Sequence, residues 1–231
     1  MNSPASPVTS IASLGGSAAA PLPEFHRKTW LYKLGQSFFR FVALTGFDLK
    51  TSGIEHIPRR GGVLIVANHQ SFLDPIMLAV NIPRAVSFLA KSELFENKYF
   101  GRLIRGVNAF PVRQGEGDVG AVRETIKRLQ DGHVLIMFPE GGRSEDGRVA
   151  KIEGGVGLII RRAGPSVKVV PAAIDGAFQA WSRHRKFPRT NPIRVKYGPA
   201  LSLAEMKASA IVQTIDREIH SLFNDLRQEQ A

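Results

Sequence analysis

The 231-residue chain contains no cysteine, which excludes disulfides, thiolate metal sites and a thiol nucleophile. It also lacks a Gly-x-Ser-x-Gly elbow, so no serine is presented for a covalent acyl-enzyme. Its six histidines are scattered without ligand spacing, and no metal is expected. No apolar run is long enough to cross a bilayer, and no internal repeat is visible. Acidic residues are scarce, 20 against 31 basic, for a net charge of +11. That excess points to a polyanionic partner, either nucleic acid or an anionic membrane. No nucleic-acid motif accompanies the charge, so the membrane surface is the expected partner and nucleic acid is not.

What is present concentrates after apolar runs. Val63-Leu64-Ile65-Val66-Ala67 leads into Asn68-His69-Gln70-Ser71-Phe72-Leu73-Asp74. A buried strand of that composition ends at the rim of a sheet, where open α/β sheets keep their chemistry. A histidine there can take a proton from a hydroxyl at neutral pH. Asp74, on the following turn, can hold the imidazole in one tautomer and stabilise the imidazolium. The plainer alternative makes Asp74, followed by Pro75, a helix cap and His69 a satisfied polar residue.

A second run, Val134-Leu135-Ile136-Met137, leads into Phe138-Pro139-Glu140-Gly141-Gly142-Arg143-Ser144 and should reach the same rim. Adjacent glycines let backbone N–H groups approach a ligand, and Arg143 offers a planar fork for phosphate or carboxylate. Glu140 is an awkward neighbour for an anion unless it orients Arg143 or accepts from a glycerol-like hydroxyl. Taken alone, the segment also reads as a strand-to-helix turn with a surface arginine. Two further strand-like runs end in cations, Val86-Ser87-Phe88-Leu89 before Lys91 and Val107-Asn108-Ala109-Phe110 before Arg113. One sheet edge would then carry a base pair, a glycine turn and up to three cations, a cradle for a phosphorylated alcohol.

Four blocks in order carry a family resemblance: Asn-His-x4-Asp; Gly106 to Arg113; Phe-Pro-Glu-Gly-x-Arg-Ser; and Val170-Pro171-Ala172-Ala173-Ile174. From about Gly46 to about Leu203 the chain resembles the glycerolipid acyltransferases, in the branch of 1-acylglycerol-3-phosphate acyltransferase. The resemblance implies that His69 and Asp74 are catalytic. It implies that Lys91, Arg113, Glu140, Gly141, Gly142, Arg143 and Ser144 bind substrate. Gly142 stands where the family has threonine, and the family's Phe-Lys-x-Gly segment is matched only loosely at Ala150–Gly154. The implied reaction moves a fatty acyl group from a thioester, acyl-CoA or acyl-carrier protein as co-substrate, to a hydroxyl of lysophosphatidate or a related lysolipid, with no cofactor. A thiol of pKa roughly 8.5 leaves readily, so the harder task is activating the hydroxyl.

A competing motif is Gly115-Glu116-Gly117-Asp118-Val119-Gly120, with Glu140 twenty residues beyond its last glycine. It matches the dinucleotide fingerprint and would make the protein a nucleotide-dependent oxidoreductase. Against this, Arg113 and Gln114 separate the strand from the first glycine, and two carboxylates would face a pyrophosphate. A flexible polar loop is the stronger reading. The third alternative is a non-enzymatic lipid- or nucleic-acid-binding protein of the same fold.

The remaining expectations concern organisation. Residues 1–23, rich in Ser, Ala, Pro and Gly with no basic residue, read as a disordered tail. Residues 24–45 read as an amphipathic helix. Trp30, Leu31, Leu34, Phe38, Phe41, Val42 and Thr45 recur at helical spacing, and Arg27, Lys28, Lys33 and Arg40 decorate them. Such a helix lies in a membrane interface or packs on its own domain, and interfacial contact is favoured. The segment Trp181–Arg189 mixes aromatics with cations, suited to lipid head groups, to the nucleotide end of coenzyme A, or simply to solvent. Residues 46–231 form the expected acyltransferase domain. Strand-like runs near 47–50, 63–67, 86–89, 107–112, 134–138, 168–174 and 193–197 alternate with helical stripes. One stripe is Val119, Val122, Ile126 and Leu129; another is Ile211, Ile215, Ile219, Leu222 and Leu226. The expected fold is a single α/β domain with a mostly parallel sheet of about seven strands, covered by helices on both faces. The expected location is cytoplasmic, peripheral to the inner face of a membrane.

Overall fold

The computed structural model describes residues 30–91, 95–99, 101–102, 108–112 and 119–229, without the side chains of 89–91 and 109–112. The chain begins with α1 (Trp30–Phe47) and β1 (Lys50–Ser52), followed by β2 (Val63–Ala67) and α2 (Asp74–Ala79). Next come β3 (Val86–Lys91), β4 (Ala109–Val112), α3 (Val119–Gln130), β5 (Val134–Met137) and α4 (Gly155–Ala163). The last elements are β6 (Lys168–Asp175), α5 (Ala177–Trp181), β7 (Arg194–Tyr197) and α6 (Ala208–Gln228).

The strands lie side by side in the order β1-β7-β6-β2-β5-β3-β4. Every pairing is parallel except β6 with β7. All five residues of β2 are fully buried. A Val/Ile/Leu strand with no polar face is what the middle of a two-sided parallel sheet requires.

Alternation along the strands sends side chains to opposite layers. Val63, Ile65, Ala67, Val170, Ala172 and Ile174 join residues of α1, α2 and α5 in one core. Leu64, Val66, Leu135 and Val169 join α3, α4 and the first half of α6 in the other. Ile211, Ile215, Ile219, Leu222 and Leu226, read from the sequence as one stripe, are all buried. In α3, Leu129 is buried at the end of its stripe, whereas Val119 opens the helix and stays exposed.

Arg84 ties down the end of the sheet where β2 and β5 begin. It donates to the carbonyls of Pro58, Gly61 and Gly132 at 2.7–2.8 Å.

The start of the domain departs from expectation. The strand read at 47–50 is displaced. Phe47 is the last residue of α1 and is buried in the core, Asp48 turns the chain with φ of 40°, and β1 starts at Lys50. The boundary placed between 45 and 46 therefore falls inside α1. That helix is also anchored to the domain. The amide of Gln36 reaches the carbonyls of Ala79, Val80 and Ile82, and the Tyr32 hydroxyl accepts from the Val86 N–H at 3.0 Å. Its opposite side leaves Trp30, Leu34, Phe38 and Phe41 exposed. No described helix is long and apolar enough to cross a membrane.

Candidate active site

β2 and β5 are neighbours in parallel register, Val63 opposite Val134. Their carboxyl ends therefore deliver residues 68–74 and 138–144 to the same point on the rim. The N–H of His69 donates to Glu140 Oε1 at 3.3 Å, and the N–H of Ser144 donates to the His69 carbonyl at 2.7 Å. The Phe138 ring stacks on the imidazole, centroids 4.0 Å apart and planes 15° from parallel.

The first loop is built to hold one carboxylate. Asn68, buried, continues the sheet ladder with its side chain. Its Nδ2 donates to the Ile174 carbonyl and its Oδ1 accepts from the Ile174 N–H, both at 2.9 Å. Pro75 near the start of α2 suits a first helical turn and sets Asp74 at its head. Three groups converge on Asp74 Oδ2: His69 Nδ1 at 2.7 Å and the N–H groups of Gln70 and Ser71 at 2.6 and 2.7 Å. Asp74 is wholly buried, His69 about one-fifth exposed. Burial pushes the Asp74 carboxyl above its ordinary range, and the three converging groups oppose that rise. With two N–H donors already on Oδ2, that oxygen is an acceptor, so Nδ1 carries the hydrogen and Nε2 presents a lone pair.

The second loop places its charges differently. Burial, with the nearby Asp74 charge as a lesser cause, raises the Glu140 carboxyl to about 7, against the pull of the His69 and Ala150 N–H groups. Its Oε2 is buried without a hydrogen-bond partner among the described residues. Glu140 therefore serves His69 rather than orienting Arg143, and its raised value lessens the negative charge that it sets against an anion. Arg143 lies with its guanidinium carbon 3.5 Å from the Phe72 ring centre, and its Nη1 is buried and likewise unpartnered among the described residues.

Gly141 takes φ of 71°, a left-handed conformation that suits glycine. Gly142 faces open space. The Ser144 hydroxyl is buried and engaged in its own turn, with Asp146 Oδ1 at 3.1 Å and the Gly147 N–H at 3.0 Å.

Lys91 ends β3, but its side chain lies outside the described residues, as do Arg113 and residues 115–118 of the glycine-rich loop. Gly120 is in the first turn of α3. Sequence reasoning assigned no part to Gln70, Phe72 or Phe138. Gln70 is fully buried and holds the two loops together, its Nε2 donating to the Gly147 carbonyl at 2.6 Å and its Oε1 accepting from Phe178 N–H. Only their place inside the blocks hinted at a role.

A buried carboxylate holding a histidine at the carboxyl ends of a parallel sheet, beside a glycine turn with an arginine, can activate a hydroxyl next to an anion. The family model described as Acyltransferase matches residues 48–175, and the chain belongs to that family. It is an enzyme of the acyltransferase class.

Two curated relatives are named 1-acyl-sn-glycerol-3-phosphate acyltransferase. The one from Bacillus subtilis is 26% identical over 206 residues, covering 86% of this chain and 100% of that protein. The one from Streptococcus pneumoniae is 28% identical over 173 residues, covering 72% and 61%. The crystal structure of the 1-acyl-sn-glycerophosphate (LPA) acyltransferase PlsC from Thermotoga maritima superposes with a TM-score of 0.72 at 27% identity, covering 85% of this chain and 78% of that one. Family membership favours acyl transfer over the dinucleotide reading of residues 115–120.

Proposed function

We propose that this acyltransferase moves a fatty acyl group from a thioester, acyl-CoA or acyl-carrier protein, to a hydroxyl of lysophosphatidate or a related lysolipid at an anionic membrane surface. The observation that carries the reading is the 2.7 Å contact between His69 Nδ1 and buried Asp74 Oδ2. With Nδ1–H committed to Asp74, Nε2 takes the proton of the acceptor hydroxyl as its oxygen attacks the thioester carbonyl. The tetrahedral intermediate collapses, the C–S bond breaks, and the thiolate departs. The imidazolium then returns its proton to the thiolate, or to solvent. Asp74 stabilises the imidazolium meanwhile, and the stacked Phe138 ring keeps the imidazole plane fixed.

Arg143 and Gly141 hold the acceptor phosphate in this reading, and the family resemblance adds Lys91 and Arg113 as further cations for it. Gly142 leaves the turn open, Ser144 shapes it, and Glu140 positions the His69 backbone. The curated relatives' names support lysophosphatidate as the first acceptor to assay. The exposed stripe Trp30, Leu34, Phe38 and Phe41, with Lys33 and Arg40 on the same helix, supports α1 as the element that rests in the interface. The protein then sits peripherally on the cytoplasmic face of a membrane, and catalysis needs no cofactor; residues 1–23, read from the sequence as a tail, lie outside the described residues.

Thiol release from a long-chain acyl-CoA with lysophosphatidate, wild type against His69→Ala, tests the mechanism. Acceptor-dependent release should fall by roughly two to four orders of magnitude in the variant. Release that survives His69→Ala excludes His69 as the base.

A further inference from the structure

Arg183 belongs to none of the four sequence blocks, and the reaction above gives it no part. It is exposed, in the turn after α5, and its Nη1 donates to Glu145 Oε1 at 3.1 Å. Glu145 stands two residues beyond Arg143 in the loop after β5.

A second path of contacts joins the same two arginines from the other side. The Arg143 guanidinium lies on Phe72 at 3.5 Å, and the Phe72 ring packs on Trp181 with centroids 5.2 Å apart. Trp181 is two residues before Arg183. Its carbonyl accepts from Ser71 Oγ at 2.7 Å, and its Nε1 donates to the Arg185 carbonyl at 3.1 Å. Both guanidiniums are thus held on one closed circuit of contacts beside the His69 loop.

Such an arrangement is costly without an anion. The Arg143 pKa is pushed down, first by burial and then by the Arg183 charge, with the Asp74 charge only partly opposing them. The Arg143 Nη1 is buried with no partner among the described residues. Buried donors in folded proteins are satisfied, by water or by a ligand where not by the chain. A phosphate monoester supplies several acceptor oxygens, and two planar forks can take it together. Arg183 has five N–H donors, so one bond to Glu145 does not exhaust it.

We propose that Arg183 is the second arm of a two-guanidinium clamp with Arg143. The clamp takes the phosphate monoester of the acceptor and selects it over acceptors with a neutral head group. The proposal rests on the reading of the acceptor as a phosphorylated lysolipid.

The test compares Arg183→Gln with Arg189→Gln, which removes the same charge from the same exposed loop. Steady-state acyl transfer is measured with lysophosphatidate and with monoacylglycerol as acceptors. Arg183→Gln should raise KM for lysophosphatidate roughly tenfold, the low end for a charge-assisted hydrogen bond, with kcat changed less than about twofold. Its rate with monoacylglycerol should not move, and Arg189→Gln should leave the lysophosphatidate KM within about twofold of wild type. If wild type turns over lysophosphatidate and Arg183→Gln leaves KM unmoved, the clamp is overturned and the functional reading stands. Equal KM rises in both variants also overturn it, since they reflect general surface attraction. Absence of lysophosphatidate turnover in wild type defeats the functional reading itself, and the clamp falls with it.

Discussion

Glu140→Gln isolates the electrostatic cost that burial imposes beside His69. In the folded protein the carboxyl titrates near 7, whereas its ordinary value is 4.5. Between those values the unfolded chain has released the proton and the folded chain still holds it. The unfolded state then binds fewer protons, so the slope of unfolding free energy against pH is negative for this group. Wild type should lose stability as pH rises from about 4.5 to about 7, and the loss should level off above that. At about 1.4 kcal/mol per pH unit, the full interval amounts to roughly 3 kcal/mol. Glutamine keeps an oxygen for the His69 N–H but has no proton to lose. Any fixed cost of burying its amide is the same at every pH, so the pH-dependent part of the difference belongs to the carboxyl. Urea unfolding of both proteins from pH 4.5 to 8.5 measures it. The variant should gain on wild type by roughly 3 kcal/mol across that range. A difference that stays flat, or that runs the other way, would refute the claim that Glu140 is held near neutrality.

Two further outcomes follow from the packing. Changing Leu34, Phe38 and Phe41 together to serine removes exposed apolar surface from α1, and should lower binding to anionic vesicles by on the order of 100-fold, at roughly 1 kcal/mol per partly buried side chain. The melting temperature should move by less than about 2 °C; a large drop would mean that the stripe packs on the domain instead. Arg84→Met keeps the aliphatic stem but removes the donor to three carbonyls, and should cost about 3 kcal/mol, read as a fall in melting temperature of roughly 6–12 °C. Because Arg84 lies at the opposite end of β2 and β5 from His69, kcat at 25 °C should stay unchanged; a loss of activity without a loss of stability would contradict that placement.

The strands that carry the site are legible because their composition admits one environment. A run such as Val63 to Ala67 has no polar face, so it must be covered on both sides, and its end must lie at a rim. The α6 stripe is equally plain, since Ile211 to Leu226 keep helical spacing over the whole helix. Phe47 shows the limit. An apolar residue followed by Asp48 and Leu49 fits a strand as well as a last helical turn, and only packing into the core under α1 decides between them. Neighbour choice is also invisible locally. That β2 lies between β5 and β6, and that β7 runs antiparallel, depends on contacts between distant segments. The same holds for polar side chains that serve remote backbone, such as Gln36 at the end of α2, Asn68 on Ile174 and Arg84 on three carbonyls of two loops. At the candidate site, the sequence put His69, Asp74 and Glu140 on one rim of the sheet, where the structure brings them into contact. The state of Glu140 was not readable, because it depends on burial by residues from both loops.

The chain has two tryptophans, and they sit in places that make them separate optical reporters. Trp30 is 76% exposed at the start of α1, where a move from water into lipid would shift its emission to the blue. Trp181 packs on Phe72, which carries the Arg143 guanidinium, so an anion bound at Arg143 as proposed would alter its quenching. Replacing either one with phenylalanine leaves a single-tryptophan enzyme. If the protein docks on vesicles and takes a phosphorylated acceptor as proposed, the two events can then be timed independently on the same protein, without an added label.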